Sequence, residues 1–470
     1  MENKFISIGS NRQLFVDDFW IEDSSGVTRH LHQPVRQEAA IIPENPWETK
    51  ISSYNTVEED SGIYRMWYRA DDPLFAPTKT GDVTESLKYK MMHAYAESTD
   101  GIAWNKPTIG LIDYYGSRSN NLVFDGPGDC FAPFIDRNPK ADKSQKYKAV
   151  VRGTGRNTLE AWVSQDGFKW ERLCDEPILS DPPFDSHNVA MWDEQKSEYV
   201  IYARGSSNTG GPFRNGVRWI RRSTSSDFIN WTPLENISTG SNPYEHLYTN
   251  SCIQYKRAPG TYLMFPSRIV VDRAPQPDWP HGDGVNDIVF MSSRDGLNFD
   301  RSFMEAFVRP GLDQRNWHER AIYMDLGILQ TSPSQMSLYI TENVRYDSVN
   351  IRRYSLRSDG FVSVRAGYTG GEFTTKPFLF DGKTLEINYS TSAVGFVKIE
   401  IQDIEGNPVP GYSIQESDEV FGDQVDKIFS WRNGADVSSL SNIPVRLKFQ
   451  IKDADLFAFR FIDKLFKKLA

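Results

Sequence analysis

One phrase recurs along the chain and constrains its fold more than any other feature: a serine, then Asp-Gly or a variant, then an aromatic. It reads Ser98-Thr99-Asp100-Gly101-Ile102-Ala103-Trp104, then Ser164-Gln165-Asp166-Gly167-Phe168-Lys169-Trp170. The third copy is Ser225-Ser226-Asp227-Phe228-Ile229-Asn230-Trp231 and the fourth is Ser293-Arg294-Asp295-Gly296-Leu297-Asn298-Phe299. A degenerate fifth reads Ser358-Asp359-Gly360-Phe361. The aspartates are spaced 66, 61, 68 and 64 residues apart. A fixed period of this size marks a repeat architecture.

Each copy follows an alternating apolar run, and Asp-Gly supplies the positive φ that a tight hairpin needs. Upstream of each copy lies a second strand-like run, such as Tyr64-Arg65-Met66-Trp67-Tyr68, Tyr199-Val200-Ile201-Tyr202 or Leu338-Tyr339-Ile340. Before those lies another, such as Val189-Ala190-Met191-Trp192. About four strands per unit is the blade of a β-propeller. The sequence therefore predicts an all-β chain: a five-bladed β-propeller followed by a β-sandwich. The propeller is expected over residues 1–370 with an N-terminal lead-in, its blades around 36–110, 125–180, 185–240, 245–310 and 317–368. After Gly370-Gly371 the alternation becomes more regular, as in Val445, Leu447, Phe449 and Ile451, and 371–470 reads as the sandwich. The tail Lys464-Leu465-Phe466-Lys467-Lys468-Leu469 reads as a frayed, solvated end.

Composition excludes several classes. The chain has 470 residues, with 53 Lys+Arg against 63 Asp+Glu and a net charge of −10, which argues against a nucleic-acid partner. Hydrophobic residues make up 39%, enough for a large core, so disorder is excluded. Aromatics reach 13%, which suits stacking against ring-shaped ligands. Three cysteines, Cys130, Cys174 and Cys252, form neither a disulfide framework nor a zinc ribbon. No run of 18 apolar residues and no signal-peptide pattern occurs, so the expectation is no membrane partner and a protein that is cytoplasmic or exported without its leader. The sequence leaves the oligomeric state open.

Ser-x-Asp-Gly-x-x-Trp hairpins on five blades resemble glycoside hydrolase families 32, 43, 62, 68 and 130. Leu14-Phe15-Val16-Asp17-Asp18 and Asp453-Ala454-Asp455-Leu456 resemble a large bacterial group of glycosidase-like proteins that join the propeller to a C-terminal sandwich. The resemblance implies an oligosaccharide or glycoside substrate in the central funnel. It also implies an Asp from blade one, an Asp from blade two and a Glu acid from blade three. This chain departs from that pattern. Its blade-one position, Ser52-Ser53-Tyr54, holds no acid, and the nearest is Glu48. Blade two shows Phe131-Ala132-Pro133 with Asp129 before it, in place of Arg-Asp-Pro. The family's nucleophile is therefore not carried over.

The residues themselves offer other candidates. Segments preceding the inner strands read Gly128-Asp129-Cys130, Asp185-Ser186-His187-Asn188, Glu245-His246-Leu247-Tyr248 and Trp317-His318-Glu319-Arg320. Glycoside cleavage needs two carboxyls flanking the bond, one protonated and one ionised. Asp185, Glu245 and Glu319 are the expected catalytic pool, with Asp129 beside the substrate. Of seven histidines, His187, His246 and His318 fall at equivalent positions. They serve as substrate contacts, as structural groups, or with Glu319 as ligands of a divalent metal; no cofactor is otherwise required. Arg69, Arg152, Arg204, Arg268 and Arg320 end the second strands or sit beside them. Guanidinium groups there hold an anionic sugar or a phosphate co-substrate, or else neutralise the neighbouring acids. Two Gly-rich stretches, Gly205–Gly211 and Arg152–Arg156, and the Pro-rich stretch Ala274–His281 read as loops. The expected function is a glycoside hydrolase-like enzyme, with a glycoside phosphorylase and a non-catalytic carbohydrate-binding protein as rivals.

Overall fold

A computed structural model describes residues 5–48, 53–71, 91–126, 130–153, 158–207, 216–275 and 282–463. The described chain is all-β, with only single-turn 3-10 helices between strands. Two compact units divide it: residues 34–254 with 260–356, and residues 1–33 with 255–259 and 357–470.

In the larger unit, four-stranded antiparallel meanders follow one another. The first is Thr56–Asp60, Ile63–Asp71, Met91–Ser98 and Leu122–Phe124. The second is Ala132–Ile135, Tyr147–Arg152, Leu159–Ser164 and Glu171–Arg172. The third is Val189–Asp193, Glu198–Ser206, Arg218–Ser225 and Glu235–Asn236. The fourth is Ile253–Gln254, Tyr262–Met264, Met291–Ser293 and Phe299–Asp300, with a ribbon of His246–Leu247, Ser267–Val270 and Val285–Ile288 alongside. The fifth is Tyr323–Ser332, Gln335–Glu342 and Asn350–Arg357, and Val35–Ile41 supplies its outer strand by antiparallel pairing. Successive inner strands pack side by side, and Tyr323–Ser332 returns to Thr56–Asp60 through the parallel bridge Leu326–Thr56. That ring of meanders is a β-propeller.

The repeated phrase has one hydrogen-bond pattern. Asp100 Oδ1 accepts from the backbone N–H of Ile102 and Ala103 at 2.7 and 2.9 Å, and Ser98 Oγ accepts from Gly101 N at 2.9 Å. The copies at 164, 225 and 293 repeat it. Gly101, Gly167 and Gly296 adopt φ of +70°, +83° and +77°; the third copy lacks the glycine, and Phe228 takes +67° there while burying its ring. The fifth diverges: Asp359 is buried and pairs with Arg12 and Arg257 inside the smaller unit.

A second repetition, between meanders, was not legible in sequence. The aspartate ending an inner strand accepts a hydrogen bond from a tyrosine of the next meander. The pairs are Tyr147–Asp60, Tyr199–Asp136 at 2.7 Å, and Tyr262–Asp193. Asp136 also accepts from Lys148 Nζ at 2.6 Å, and both side chains are nearly sealed from water. Removing one partner of a buried charged pair costs about 3 kcal/mol. Asp136→Ala is therefore expected to lower stability by about 3 kcal/mol in chemical denaturation; a loss below about 1 kcal/mol would show that the latch does not hold the ring.

In the smaller unit, two long bent strands, Thr384–Gln402 and Arg446–Ile462, organise an eight-stranded sheet. Its core gathers Phe15, Trp20, Phe373, Phe378, Trp431, Phe449 and Phe459. The sequence reading placed the lead-in with the propeller. Strand pairing places it here instead: Ile21–Ser25 pairs with Gly371–Thr375, and Val27–Leu31 with Val362–Ala366. Short strands carry no signal for partners more than three hundred residues away. No helix among the described residues is long and apolar enough to cross a membrane, and Cys130, Cys174 and Cys252 form no disulfide among the described residues.

Candidate functional site

The innermost residues of the ring define the site. Tyr54 precedes the first inner strand, Cys130 the second, and Tyr248 follows Leu247 in the fourth; Tyr323 opens the fifth. With Ile269 and Val344 they form one buried cluster. Tyr54 OH donates to Tyr248 OH at 3.0 Å, and Tyr248 OH donates to the Asp185 carbonyl at 2.9 Å. The Tyr323 ring lies 5.9 Å from Tyr54 and 6.2 Å from Tyr248. Burial raises all three phenols above their ordinary pKa, so they stand as neutral hydroxyls at physiological pH.

Four non-glycine residues at or beside the cluster hold strained backbone. Tyr54, Cys130, Arg320 and Arg345 adopt φ of +84°, +68°, +59° and +74°. Each such conformation costs on the order of 1–3 kcal/mol and persists only where its surroundings fix it. For Tyr54 the next residue does so. Asn55 donates to Asp325 Oδ1 at 3.0 Å and Thr341 Oγ1 at 2.9 Å, accepts from Arg69 N at 2.9 Å, and offers its carbonyl to Leu326 N.

The catalytic candidates fall into three environments. Asp185 stands at the third meander with a side chain 45% exposed, and Arg204 Nη1 lies 3.3 Å from its Oδ1. Arg204 is itself sealed from water and sets its guanidinium 5.1 Å from the centre of the Tyr248 ring. Glu319 is clamped by Arg320 and by Arg345, whose Nη1 lies 2.6 Å from Oε1. Burial alone would raise its pKa, but the hydrogen bonds and charge of Arg320 and Arg345 outweigh it, and Glu319 stays ionised. Glu245 belongs to a separate network: Arg268 Nη1 reaches its Oε1 at 2.8 Å, Arg301 Nη2 reaches Oε2 at 3.1 Å, and Arg268 also pairs with Asp287. Asp129 lies outside the described residues, as do 276–281 of the Pro-rich stretch, 208–211 and 154–156 of the Gly-rich ones, and the 464–470 tail. Glu48, the nearest acid to the vacant blade-one position, accepts from Tyr68, Lys106 and backbone N–H groups and is wholly buried.

The histidines do not act as a trio. His187 is buried against Tyr54, its Nε2 has no hydrogen-bond partner among the described residues, and burial pushes its pKa down to about 3. His318 Nδ1 lies 2.7 Å from the Glu319 carbonyl, and burial brings it down to about 4. His246 Nδ1 accepts from Arg218 N at 3.3 Å, and burial with the Arg218 charge lowers it. All three are neutral near pH 7. Among the described residues no three His, Cys, Asp or Glu side chains are placed to share a metal ion. The arginines also divide. Arg204 and Arg320 reach the tyrosine cluster, Arg268 is held by Glu245 and Asp287, and Arg69 and Arg152 are buried at their strand ends.

Sequence reasoning missed Tyr54, Tyr248, Tyr323, Arg218 and Arg345. Tyr54 and Tyr248 lie in segments already singled out and Tyr323 opens the strand after a third, but nothing in their identity shows that these segments converge on them.

The fold and this site define a β-propeller whose innermost positions hold phenols and guanidinium groups around an accessible carboxylate. No family model matches the chain. It is 27% identical over 164 residues to an uncharacterized protein of Mycobacterium tuberculosis, covering 34% of this chain and 48% of that protein; a second strain's counterpart matches equally. The chain thus spans about half the length of the curated relatives it matches. Among solved structures it is similar to a glycoside hydrolase family 43 arabinoxylan arabinofuranohydrolase from Bacillus subtilis in complex with cellotetraose (TM-score 0.42, 11% identity, 89% of this chain and 96% of that one). It is also similar to a fructofuranosidase from Schwanniomyces occidentalis complexed with fructosylnystose (TM-score 0.42, 12% identity, 98% and 100%). A third similar structure belongs to the family 130 mannoside phosphorylases, a family that contains glycoside hydrolases targeting β-1,2 mannosidic linkages in Candida mannan (TM-score 0.43, 13% identity, 69% and 94%).

Proposed function

We propose that the chain cleaves a glycosidic bond in the propeller funnel, with Asp185 as the group that transfers the proton. One observation carries the choice of residue: of the three expected acids, Asp185 is the one whose carboxyl is accessible and not clamped between two arginines. The Ser-x-Asp-Gly-x-x-Trp resemblance supports a sugar as substrate. Asp185 would deliver its proton to the glycosidic oxygen, or take one from the attacking water, as the bond breaks. Arg204, with Nη1 3.3 Å from Oδ1, would hold the carboxyl in place. Glu319, ionised and fixed by two guanidinium groups, would provide the second carboxylate of the pair. The phenols of Tyr54 and Tyr248, bonded to each other and to the Asp185 carbonyl, would hold the Asp185 backbone in place without adding charge. Glu245 takes no part in this reading, and no step runs through a metal.

The test is product release from a broad oligosaccharide panel, followed by mass spectrometry with and without phosphate. Free sugar in plain buffer is the expected result. Sugar phosphate formed only with phosphate present would make the protein a phosphorylase, and saturable binding without turnover would leave it a carbohydrate-binding protein.

A further inference from the structure

The Asp185 carbonyl is held differently from those beside it. The carbonyls of Asp181 and Pro183 accept from Arg221, and those of Phe184 and Ser186 from Asn188, so the third meander fastens this segment to itself. The Asp185 carbonyl accepts instead from Tyr248 of the fourth meander, whose hydroxyl accepts in turn from Tyr54 of the first. Behind Tyr54 the chain of bonds continues into the fifth. Asn55 Nδ2 donates to Asp325 Oδ1 at 3.0 Å and to Thr341 Oγ1 at 2.9 Å, and Thr341 Oγ1 donates to the same Asp325 oxygen at 2.9 Å. Asn55, Asp325 and Thr341 are wholly buried, so none of them touches a substrate. Their bonds keep Asn55 from turning, and with it the φ of +84° at Tyr54, a strained conformation whose relaxation would swing the phenol away from Tyr248.

We infer that Asp325 and Asn55 are positioning residues for Asp185, acting through the hydroxyls of Tyr54 and Tyr248. The seam between the first and fifth meanders thereby sets where the carboxyl of the third meander stands. The inference rests on the cleavage reading above and names what fixes its acid. A reacting group misplaced by about 1 Å loses on the order of a hundredfold in rate. Substrate binding changes little, because all four of these side chains are buried.

Two measurements on the full chain test it. One is turnover on the oligosaccharide panel. The other is the rate at which a water-soluble carbodiimide couples glycine ethyl ester to Asp185, read by peptide mass spectrometry with the exposed Asp142 as reference. Asp325→Ala and Tyr54→Phe should each lower kcat about a hundredfold and keep KM within about twofold. Each should also quicken the coupling of Asp185, as its carboxyl leaves Arg204, and not that of Asp142. Asp325→Asn keeps an oxygen for Asn55 and Thr341 and should rescue both readouts. Links in series do not add, so Asp325→Ala combined with Tyr54→Phe should be no worse than either alone. If Asp325→Ala fails to fold, Tyr54→Phe, which deletes one hydroxyl and keeps its ring, decides the question. Unchanged coupling of Asp185 in Tyr54→Phe overturns the inference, and so does a loss in KM instead of kcat or a multiplied loss in the double variant. Quickened coupling together with near-normal turnover in Asp185→Asn would retain the positioning and remove Asp185 from proton transfer. Lost turnover in Asp185→Asn beside normal turnover in Tyr54→Phe would do the reverse.

Discussion

Asp185→Asn is expected to reduce turnover by about a thousandfold, the range for losing a group that transfers a proton in the transition state. Its stability should change by about 1 kcal/mol or less. The substitution keeps the Asp185 carbonyl that Tyr248 hydrogen-bonds, and the ion pair it weakens has one partner 45% exposed, where solvent screens the interaction. Turnover followed by mass spectrometry, together with a melting curve, checks both halves. Near-normal turnover would remove Asp185 from the chemistry. A collapse of the melting temperature would make it structural. Glu319 gives no such clean separation, because neutralising it removes the carboxylate that Arg320 and Arg345 share, both at strained backbone positions.

Asp325 should produce the largest effect of pH on stability. It is wholly buried, Asn55 and Thr341 donate to its Oδ1, its Oδ2 has no hydrogen-bond partner among the described residues, and burial pushes its pKa up to about 8. An unfolded aspartate titrates near 4. Below that pH both states hold the proton and the residue costs nothing. As pH rises from 4 to 8 the unfolded chain ionises while the folded one keeps its proton, so stability is lost progressively, by at most about 5 kcal/mol. Asp325→Asn cannot ionise. The difference in unfolding free energy between variant and parent should therefore grow in the variant's favour from pH 4 to pH 8, read by denaturant titration at each pH. A difference that stays flat would show that Asp325 does not hold its proton in the fold.

The meanders were legible because their turns are. An Asp whose side chain caps two backbone N–H groups, a Ser that caps a third and a Gly at positive φ are chemical requirements that appear directly as letters. Asp185, Glu319, Arg204 and Arg320 were legible as pre-strand and strand-end residues. Arg204 beside Asp185 and Arg320 beside Glu319 match the reading of strand-end arginines as neutralising groups, but the second clamp on Glu319 comes from Arg345, on a different segment of its meander. Glu245 is the sharpest lesson. Its place in the repeat matches that of Asp185, but the strand-end Arg268 and Arg301 take both of its oxygens, and no local pattern announces Arg301. The phenols went unremarked because a tyrosine before a strand is ordinary, and only a strained backbone at 54 turns it inward.

The outer strand of the last meander has a consequence for how the ring is made. Val35–Ile41 is synthesised early, yet its partner Asn350–Arg357 lies about 310 residues further along, with Ile41 opposite Ile351. Until that partner arrives, the segment is an unpaired edge with free N–H and C=O groups, able to pair with another copy of itself. Closure must also overcome the entropy of joining so distant a pair, which slows the final step. Yield on refolding should thus depend on protein concentration: nascent rings that fail to close on themselves can close on each other.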